Sequence, residues 1–264
     1  MTTKNNTKKE QWDPRTAFDP TKAFDPTTVI DLKKLFDPKT VYTTPSGTAL
    51  HPRLTDPSSP FKKGGEYSAQ LYFPPDVEAV VLERLKALAD LAHRLNCKEN
   101  FTAELKRAPF PWSENKDGKH VFRFKLTASG VNDDGTSWER HPRIFDTTAY
   151  EAETTEERQS LRIGSGSEMA ISFWIKRWYT AALGSGISLR LVAAQIVRYV
   201  DWKKDAEYYG FARRQDGWSL RDALKKNPAA AVEQTNVLNP EEPEPEYVPD
   251  QTADDADDLD QITA

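Results

Sequence analysis

Cations and aromatic rings alternate in the segment 168–180. Trp174, Lys176 and Trp178 occupy every second position there, and side chains at every second position of a strand share one face. Cations track phosphates, and flat rings stack on any base at about 1–3 kcal/mol each, which is the chemistry of sequence-independent single-strand binding. The alternation therefore predicts a sheet face that binds nucleic acid.

A tryptophan exposed to water gains no free energy from burial, so other protein surface could instead cover these rings. Two such interpretations are open. Trp174 and Trp178 could pack beneath a helix or the N-terminal segment. They could also form a patch that binds a partner protein, as in a virion-associated or interaction module.

The full set of predicted contact residues combines aromatic and cationic side chains. Lys62 and Lys63 belong to it because they are adjacent cations in a glycine-flanked loop. The predicted stacking residues are Tyr72, Trp112, Trp174 and Trp178, and the predicted phosphate-binding residues are Lys62, Lys63, Arg123, Lys125, Lys176, Arg177 and Arg190.

Catalytic motifs are scarce in the sequence. The Gly-Ser-Gly segments at 164–166 and 184–186 lack the Gly-Lys-Ser/Thr ending of a phosphate loop, and we predict hairpin turns there. Asp133, Asp134 and Asp146 could ligate magnesium in a nuclease, but the first two lie in a turn-like Asn-Asp-Asp-Gly. We expect no enzyme activity, no cofactor and no metal site.

The last 25 residues carry ten carboxylates and no cation. The whole chain has 36 Lys and Arg against 41 Asp and Glu, net −5, so residues 1–239 carry 36 against 31, net +5. This predicts a tail that competes with a polyanion for the basic body or recruits a basic partner, with a solvated, solubilising terminus as the alternative. The tail residues expected to bind partners are Asp254, Asp255, Asp257, Asp258 and Asp260.

An aromatic-Asp-Pro pattern recurs at Trp12, Phe18, Phe24 and Phe36. Asp-Pro starts turns, because proline fixes its own φ and pushes the preceding residue towards extended conformations. Such a repeat buries too little surface to form a core alone. We predict a strap whose aromatic rings dock onto the body, with a multivalent docking segment as the alternative.

The elements that position these residues read as α+β and mostly β. Alternation predicts strands over 66–73, 119–127 and 168–180, and a glycine turn then leads into a hairpin strand over 187–192. A bulge near 193–194 and a continuation over 197–200 are expected. Apolar residues at helical spacing predict one long helix over 76–96. Together these elements predict an OB-like small barrel with an inserted helix.

Composition and charge suggest the following organisation. We predict an N-terminal extension over 1–40, the barrel over 41–209, a helical or linker segment over 210–239 and an acidic disordered tail over 240–264. The single Cys97 excludes an intrachain disulfide and is expected to be buried near a helix end. No signal peptide and no apolar run near 18 residues is apparent, so we expect a soluble, cytoplasmic protein without membrane contact.

Three segments resemble the bacteriophage single-stranded DNA-binding proteins that have an OB-fold core. They are residues 65–74 with the helix directly after them, the strand at 122–126, and residues 186–197. The resemblance spans roughly residues 41–200 and rests on pattern, not on an invariant signature.

The resemblance implies sequence-independent binding of single-stranded DNA in viral replication, recombination and repair, in the host cytoplasm. It also implies that the acidic tail contacts replication proteins such as a polymerase or helicase-primase, and it is compatible with a homodimer. Tails of this kind often end in an aromatic residue, whereas this chain has Ile262 as the apolar side chain near its tip. That departure concerns how the tip docks, not the charge of the tail.

Overall fold

The computed structural model of the protein describes residues 13–26, 31–57, 64–102, 104–132 and 134–202. The predictions for Trp12, Lys62, Lys63 and Asp133, for the segment 210–239 and for the acidic tail fall on residues outside these ranges.

Ten strands and two α-helices make up the described chain. In order, the strands are β1 (Tyr42–Thr43), β2 (Gly47–Arg53), β3 (Glu66–Tyr72), β4 (Trp112–Glu114), β5 (His120–Thr127), β6 (Ser129–Val131), β7 (Ser137–Glu139), β8 (Arg143–Phe145), β9 (Glu168–Thr180) and β10 (Gly184–Arg198). The helices are α1 (Pro75–Glu99) and α2 (Thr155–Ser160), and 3₁₀ turns lie at Pro14–Thr16 and Leu32–Phe36.

Five of these strands close a barrel. They pair in the order β9, β2, β3, β5 and β10, and β10 pairs back onto β9. All pairs in this ring are antiparallel except β5 with β10, which is parallel. A small five-stranded barrel with a helix inserted after its early strands is the OB architecture. The predicted OB-like α+β fold is therefore confirmed.

The strand predictions over 66–73, 119–127 and 168–180 hold closely, because each strand alternates between an apolar interior side and a mixed outer side. β2 is not among the predicted strands, and the last strand ends at Arg198, before the predicted residue 200. Phe122, Phe124, Ile171 and Phe173 point into the barrel and are at most 1% exposed. The residues between them form the outer surface. The expected bulge is present as a register shift between Leu191 and Ala193.

Helix α1 packs against β9 and β10. It begins at Pro75, where a proline costs no hydrogen bond because the first helical amide has no intrahelical partner. Leu85 and Leu88 on its apolar face are buried in the main core. Near its other end, the Asn96 side-chain amide donates to the carbonyl of Trp178 at 2.8 Å. None of the described helices is long and apolar enough to cross a membrane.

The N-terminal aromatic-Asp-Pro segment docks onto the barrel. Phe18 has no exposed surface, and its ring centroid lies 5.8 Å from Tyr42 and 5.6 Å from Phe173. Phe36 is also buried, and Phe24 packs half-buried against the same core. The strap interpretation is confirmed for these three repeats.

A side chain of α1 holds the strap by hydrogen bonds to its backbone carbonyls. The guanidinium of Arg84 donates to three carbonyls at 2.6–2.8 Å, those of Ala17, Asp19 and Lys22. Removing this guanidinium from water lowers the pKa of Arg84. Because the contacts are to the main chain, Arg84 holds the path of the strap regardless of most of its side chains.

The prediction of a hairpin turn at 184–186 is wrong. The turn lies at residues 181–183, and Gly184 and Gly186 are already part of β10. Gly184 has φ of +97°, and a Cβ there would lie 2.3 Å from the carbonyl oxygen of Lys106. A Cβ at Gly186 would lie 2.5 Å from the ring of Trp178. These glycines permit close packing within the sheet and do not reverse the chain.

Candidate nucleic-acid interface

The strand registers bring a serine, two cations and a tryptophan from four strands into one row on the outer surface of the barrel. Ser68 pairs with Lys125, Lys125 with Arg190, and Arg190 with Trp174. Neighbouring strands lie about 4.8 Å apart, so the row spans roughly 14 Å. We call this row and the next one the outer face.

A second row lies two residues further along the same strands. Gln70 pairs with Arg123, and Ser188 pairs with Lys176. The parallel register of β5 with β10 aligns Arg123 with Ser188. The outer face therefore collects cations from β5, β9 and β10, three strands that are not all adjacent in sequence.

The cations of the outer face are well shielded from solvent. Arg190 is only 8% exposed, and the Nε of Arg123 and the Nζ of Lys176 are buried atoms. Lys125 lies 3.4 Å from the carboxylate of Glu66. Burying a cation is offset by paired negative charge or hydrogen bonds, which Glu66 supplies for Lys125.

Trp174 and Tyr72 are aromatic residues of this surface. Trp174 is half-buried and stands beside Arg190 at the end of its row. Tyr72 is half-buried at the end of β3, and the Lys119 ammonium lies 5.2 Å from its ring centroid. Each is thus a ring paired with a cation, which is the arrangement that single-strand stacking uses.

Trp178 lies on the same side of β9 as Trp174, yet it is only 8% exposed. Its ring packs against Ala108 and Leu183, outside the main core. Its Nε1 donates to the Ser188 hydroxyl at 3.0 Å. A ring covered in this way offers no open face for a base in this structure.

Trp112 is directed towards the barrel interior. It is 8% exposed and lies 6.2 Å from Phe122. Phe110 stacks on it at 4.4 Å with an interplanar angle of 7°, and Phe110 itself is 42% exposed. The ring that solvent reaches here is Phe110, which the sequence interpretation did not select.

Arg177 is held by α1 instead of joining Lys176. It donates to Asn96 at 2.6 Å and to both carboxylate oxygens of Glu99 at 2.7 and 3.0 Å. These bonds lower the pKa of Glu99. The separation follows from strand geometry, since consecutive residues point to opposite faces.

The outer surface continues onto β8, which the sequence interpretation missed. β8 pairs in parallel with β10, placing Arg143 opposite Ala193. The Arg143 guanidinium lies 5.0 Å from the ring of Phe145, and Glu151 accepts from Arg143, which lowers the pKa of Glu151. A strand of three residues is too short for its alternation to be recognised.

Of the acidic residues considered as magnesium ligands, the two that the structure describes, Asp134 and Asp146, accept hydrogen bonds within turns. Asp134 accepts from the amide of Thr136, and Asp146 from the amides of Thr148 and Tyr150. Across the described ranges, no three His, Cys, Asp or Glu side chains are grouped as a metal site.

Solved structures share this fold. The crystal structure of gp2.5, a single-stranded DNA-binding protein encoded by bacteriophage T7, matches with a TM-score of 0.52 and 19% identity over 68% of this chain and 97% of that one. The single-stranded DNA-binding protein of bacteriophage Enc34, in complex with ssDNA, matches with a TM-score of 0.45 and 14% identity over 60% and 86% of the two chains. The match to the T7 protein confirms the resemblance to bacteriophage single-stranded DNA-binding proteins at the level of the fold. No protein-family model and no curated protein sequence matches the chain.

Proposed function

We propose that this protein binds single-stranded DNA without sequence preference through its outer face. The observation that carries the proposal is the pair of rows in which β3, β5, β10 and β9 bring cations and an aromatic ring together. The fold supports it, since the T7 protein of the same fold is a single-stranded DNA-binding protein.

In the proposed mechanism, the cations of β5, β9 and β10 neutralise consecutive phosphates, while Trp174 and Tyr72 stack on bases. Because Arg190 and the Nζ of Lys176 are buried in this structure, their phosphate contacts would require these side chains to move outwards. Stacking needs no particular base, so the binding is tolerant of sequence. Lys62 and Lys63, on the loop between β2 and β3, are proposed as further phosphate contacts, and the roles predicted for Trp112, Trp178 and Arg177 would require their present packing to change.

The biological setting is part of the proposal. A sequence-tolerant coat on single strands serves viral DNA replication, recombination and repair, and it requires no catalysis. The acidic tail, with Asp254, Asp255, Asp257, Asp258 and Asp260, is proposed to occupy the outer face when DNA is absent and to recruit replication proteins when it is displaced. The support is charge complementarity between a tail of ten carboxylates and a body of net +5.

A fluorescence titration with oligo(dT) tests the main proposal. Quenching of tryptophan emission that weakens as salt rises is the expected result. No quenching at any salt would instead support a protein-interaction module. Conversion of the oligonucleotide to shorter products in the presence of Mg²⁺ would support a nuclease.

Deleting residues 240–264 tests the role of the tail. The deletion should raise affinity for oligo(dT) at low salt, and the difference should shrink at high salt, because screening weakens the competing carboxylates. A matched full-length variant with the five tail aspartates changed to asparagine should shift affinity in the same direction by a smaller amount, because five of the ten tail carboxylates remain. Unchanged affinity at both salts would remove the competition mechanism and leave DNA binding intact.

A further inference from the structure

Exposed aromatic surface is concentrated where β10 ends. Of the seven large apolar side chains that are exposed in the described ranges, Val197, Tyr199 and Trp202 fall within six consecutive residues. Tyr199 is 46% exposed and Trp202 is 57% exposed. Exposed apolar surface gathered in one place marks interaction sites more often than scattered residues do.

The two rings are held in place by the segment before β9. The amide of Trp202 donates to the carbonyl of Arg162 at 3.1 Å, and the amide of Arg162 donates to the Tyr199 hydroxyl at 3.1 Å. A Cβ on Gly164 would lie 2.7 Å from the backbone of Trp202. This close contact fixes the chain at Trp202, so the exposed rings are presented by an ordered backbone.

Positive charge accompanies the rings. The Arg162 guanidinium lies 6.0 Å from the centroid of Trp202. Arg198 donates to the carbonyl of Gly166 in the same turn, although Glu168 also binds Arg198 and offsets its charge. In sequence, Lys203 and Lys204 directly follow Trp202. Cation and ring therefore interleave again at the end of β10.

This patch lies at the end of the barrel where the loop between β2 and β3 departs. The hydroxyl of Thr55, which precedes that loop, donates to the carbonyl of Leu161 at 3.3 Å. Leu161 is adjacent to Arg162, so the patch and the root of the Lys62–Lys63 loop are neighbours. A strand that contacts one can reach the other.

We propose that Tyr199, Trp202 and Arg162 form a second contact site for single-stranded DNA, separate from the outer face. The proposal rests on the proposed function and extends it. The bases stack on the two exposed rings, and Arg162 takes a phosphate. Single-stranded DNA is the occupant because rings with interleaved cations suit a stacked, charged strand, and because Thr55, at the root of the loop that carries Lys62 and Lys63, bonds to Leu161 beside Arg162.

Two lengths of oligo(dT) separate this site from the outer face. An oligonucleotide of about 6 nucleotides can fill one OB surface, whereas one of about 30 can reach both sites. For Trp202→Ala and Tyr199→Ala, affinity for the long oligonucleotide should fall roughly tenfold, while affinity for the short one stays unchanged. Arg162→Gln should lower the salt dependence for the long oligonucleotide by roughly 0.7 in slope.

Two exposed aromatics elsewhere serve as matched controls. Phe101 is 98% exposed and Tyr150 is 63% exposed, and neither is part of a proposed contact. Phe101→Ala and Tyr150→Ala should leave both affinities unchanged, and thermal melting checks that every variant is folded. Equal affinity of folded Trp202→Ala and the wild type for the long oligonucleotide would overturn the second site alone. If the wild type binds neither length, the proposed function fails as well.

Discussion

Strand β9 carries a tryptophan next to a cation at two places, and their surroundings differ. Trp174 and Lys176 lie on the outer face, where Trp174 is half-buried opposite Arg190. Further along, Trp178 is covered by Ala108 and Leu183, and Arg177 is bound by Glu99 of α1. Similar residue types thus form the proposed binding surface at one end of the strand and are packed against other elements at the other end.

The difference comes from which elements cross each end. At the Trp178 end, the segment that precedes β4 pairs with β10, since Ala108 donates to the carbonyl of Ser185 at 3.0 Å. Asn96 of α1 reaches the same place and bonds to Ser185. Chemistry at a strand surface is therefore decided by the segments packed against it as much as by its own alternation.

The largest expected effect is on stability at the covered end. Trp178→Ala should lower the free energy of unfolding by about 3 kcal/mol, because a large buried ring leaves a cavity. Urea unfolding followed by circular dichroism measures it. Trp174→Ala is the matched variant and should cost clearly less, since its ring is half-exposed. Equal losses would mean that the two ends of β9 do not differ in packing.

The next largest effect is on DNA binding at the Trp174 end of β9. Trp174→Ala should weaken oligo(dT) binding by about 1–3 kcal/mol, the range for one base stacked on an aromatic ring. Folded Trp178→Ala should bind nearly as well as the wild type in the same fluorescence titration. A larger affinity loss for Trp178→Ala would indicate that its cover opens when DNA binds.

The neighbouring cations allow a smaller and sharper comparison. Lys176→Gln should lower the slope of log affinity against log salt by about 0.7, the contribution of one phosphate on a single strand. Arg177→Gln should leave that slope unchanged and instead lower the melting temperature, because the Glu99 carboxylate and the Asn96 Oδ1 lose the hydrogen bonds from the guanidinium. Titrations at four salt concentrations decide between them. A reduced slope for Arg177→Gln would place that guanidinium on the DNA.

The smallest effect concerns pH at the covered end. His93 of α1 is buried beside Arg107, and burial, reinforced by that charge, lowers its pKa. Asp90 and Glu104 act in the opposite direction. The unfolded chain takes up this proton near pH 6.5, so the contribution to stability is complete above that pH and declines as pH falls below it. The loss of melting temperature between pH 7.5 and 5.5 should be smaller in His93→Gln than in the wild type, and an equal loss would exclude His93 as the cause.

Much of the barrel could be predicted from alternation alone, because β3, β5, β9 and β10 each run long enough for interior and outer residues to separate. The direction of Trp174 and Lys176 followed from the same pattern. The burial of Trp178 and Trp112 could not be predicted from alternation. The residues that pack on them, Ala108 and Phe110, belong to an irregular segment without periodicity. Contacts of that kind depend on tertiary packing that no local pattern records.

The register between strands also could not be predicted from the sequence. The row from Lys125 to Arg190 exists because β5 and β10 pair in parallel, although they are separated by several strands in the chain. The patch around Arg162 and Trp202 likewise depends on a pairing between Ile163 and Asp201. Alternation shows which side a residue takes, but only pairing shows which residues meet.

The buried position of Phe18 determines when the strap can dock during synthesis of the chain. Its ring contacts Phe173 of β9, so the strap leaves the ribosome roughly 8–30 seconds before its binding site can exist, at the usual 5–20 residues per second. The barrel can close only after nearly the whole domain has emerged, which delays folding of the early strands. A nascent chain arrested before β9 would therefore present the strap aromatics to solvent or to chaperones.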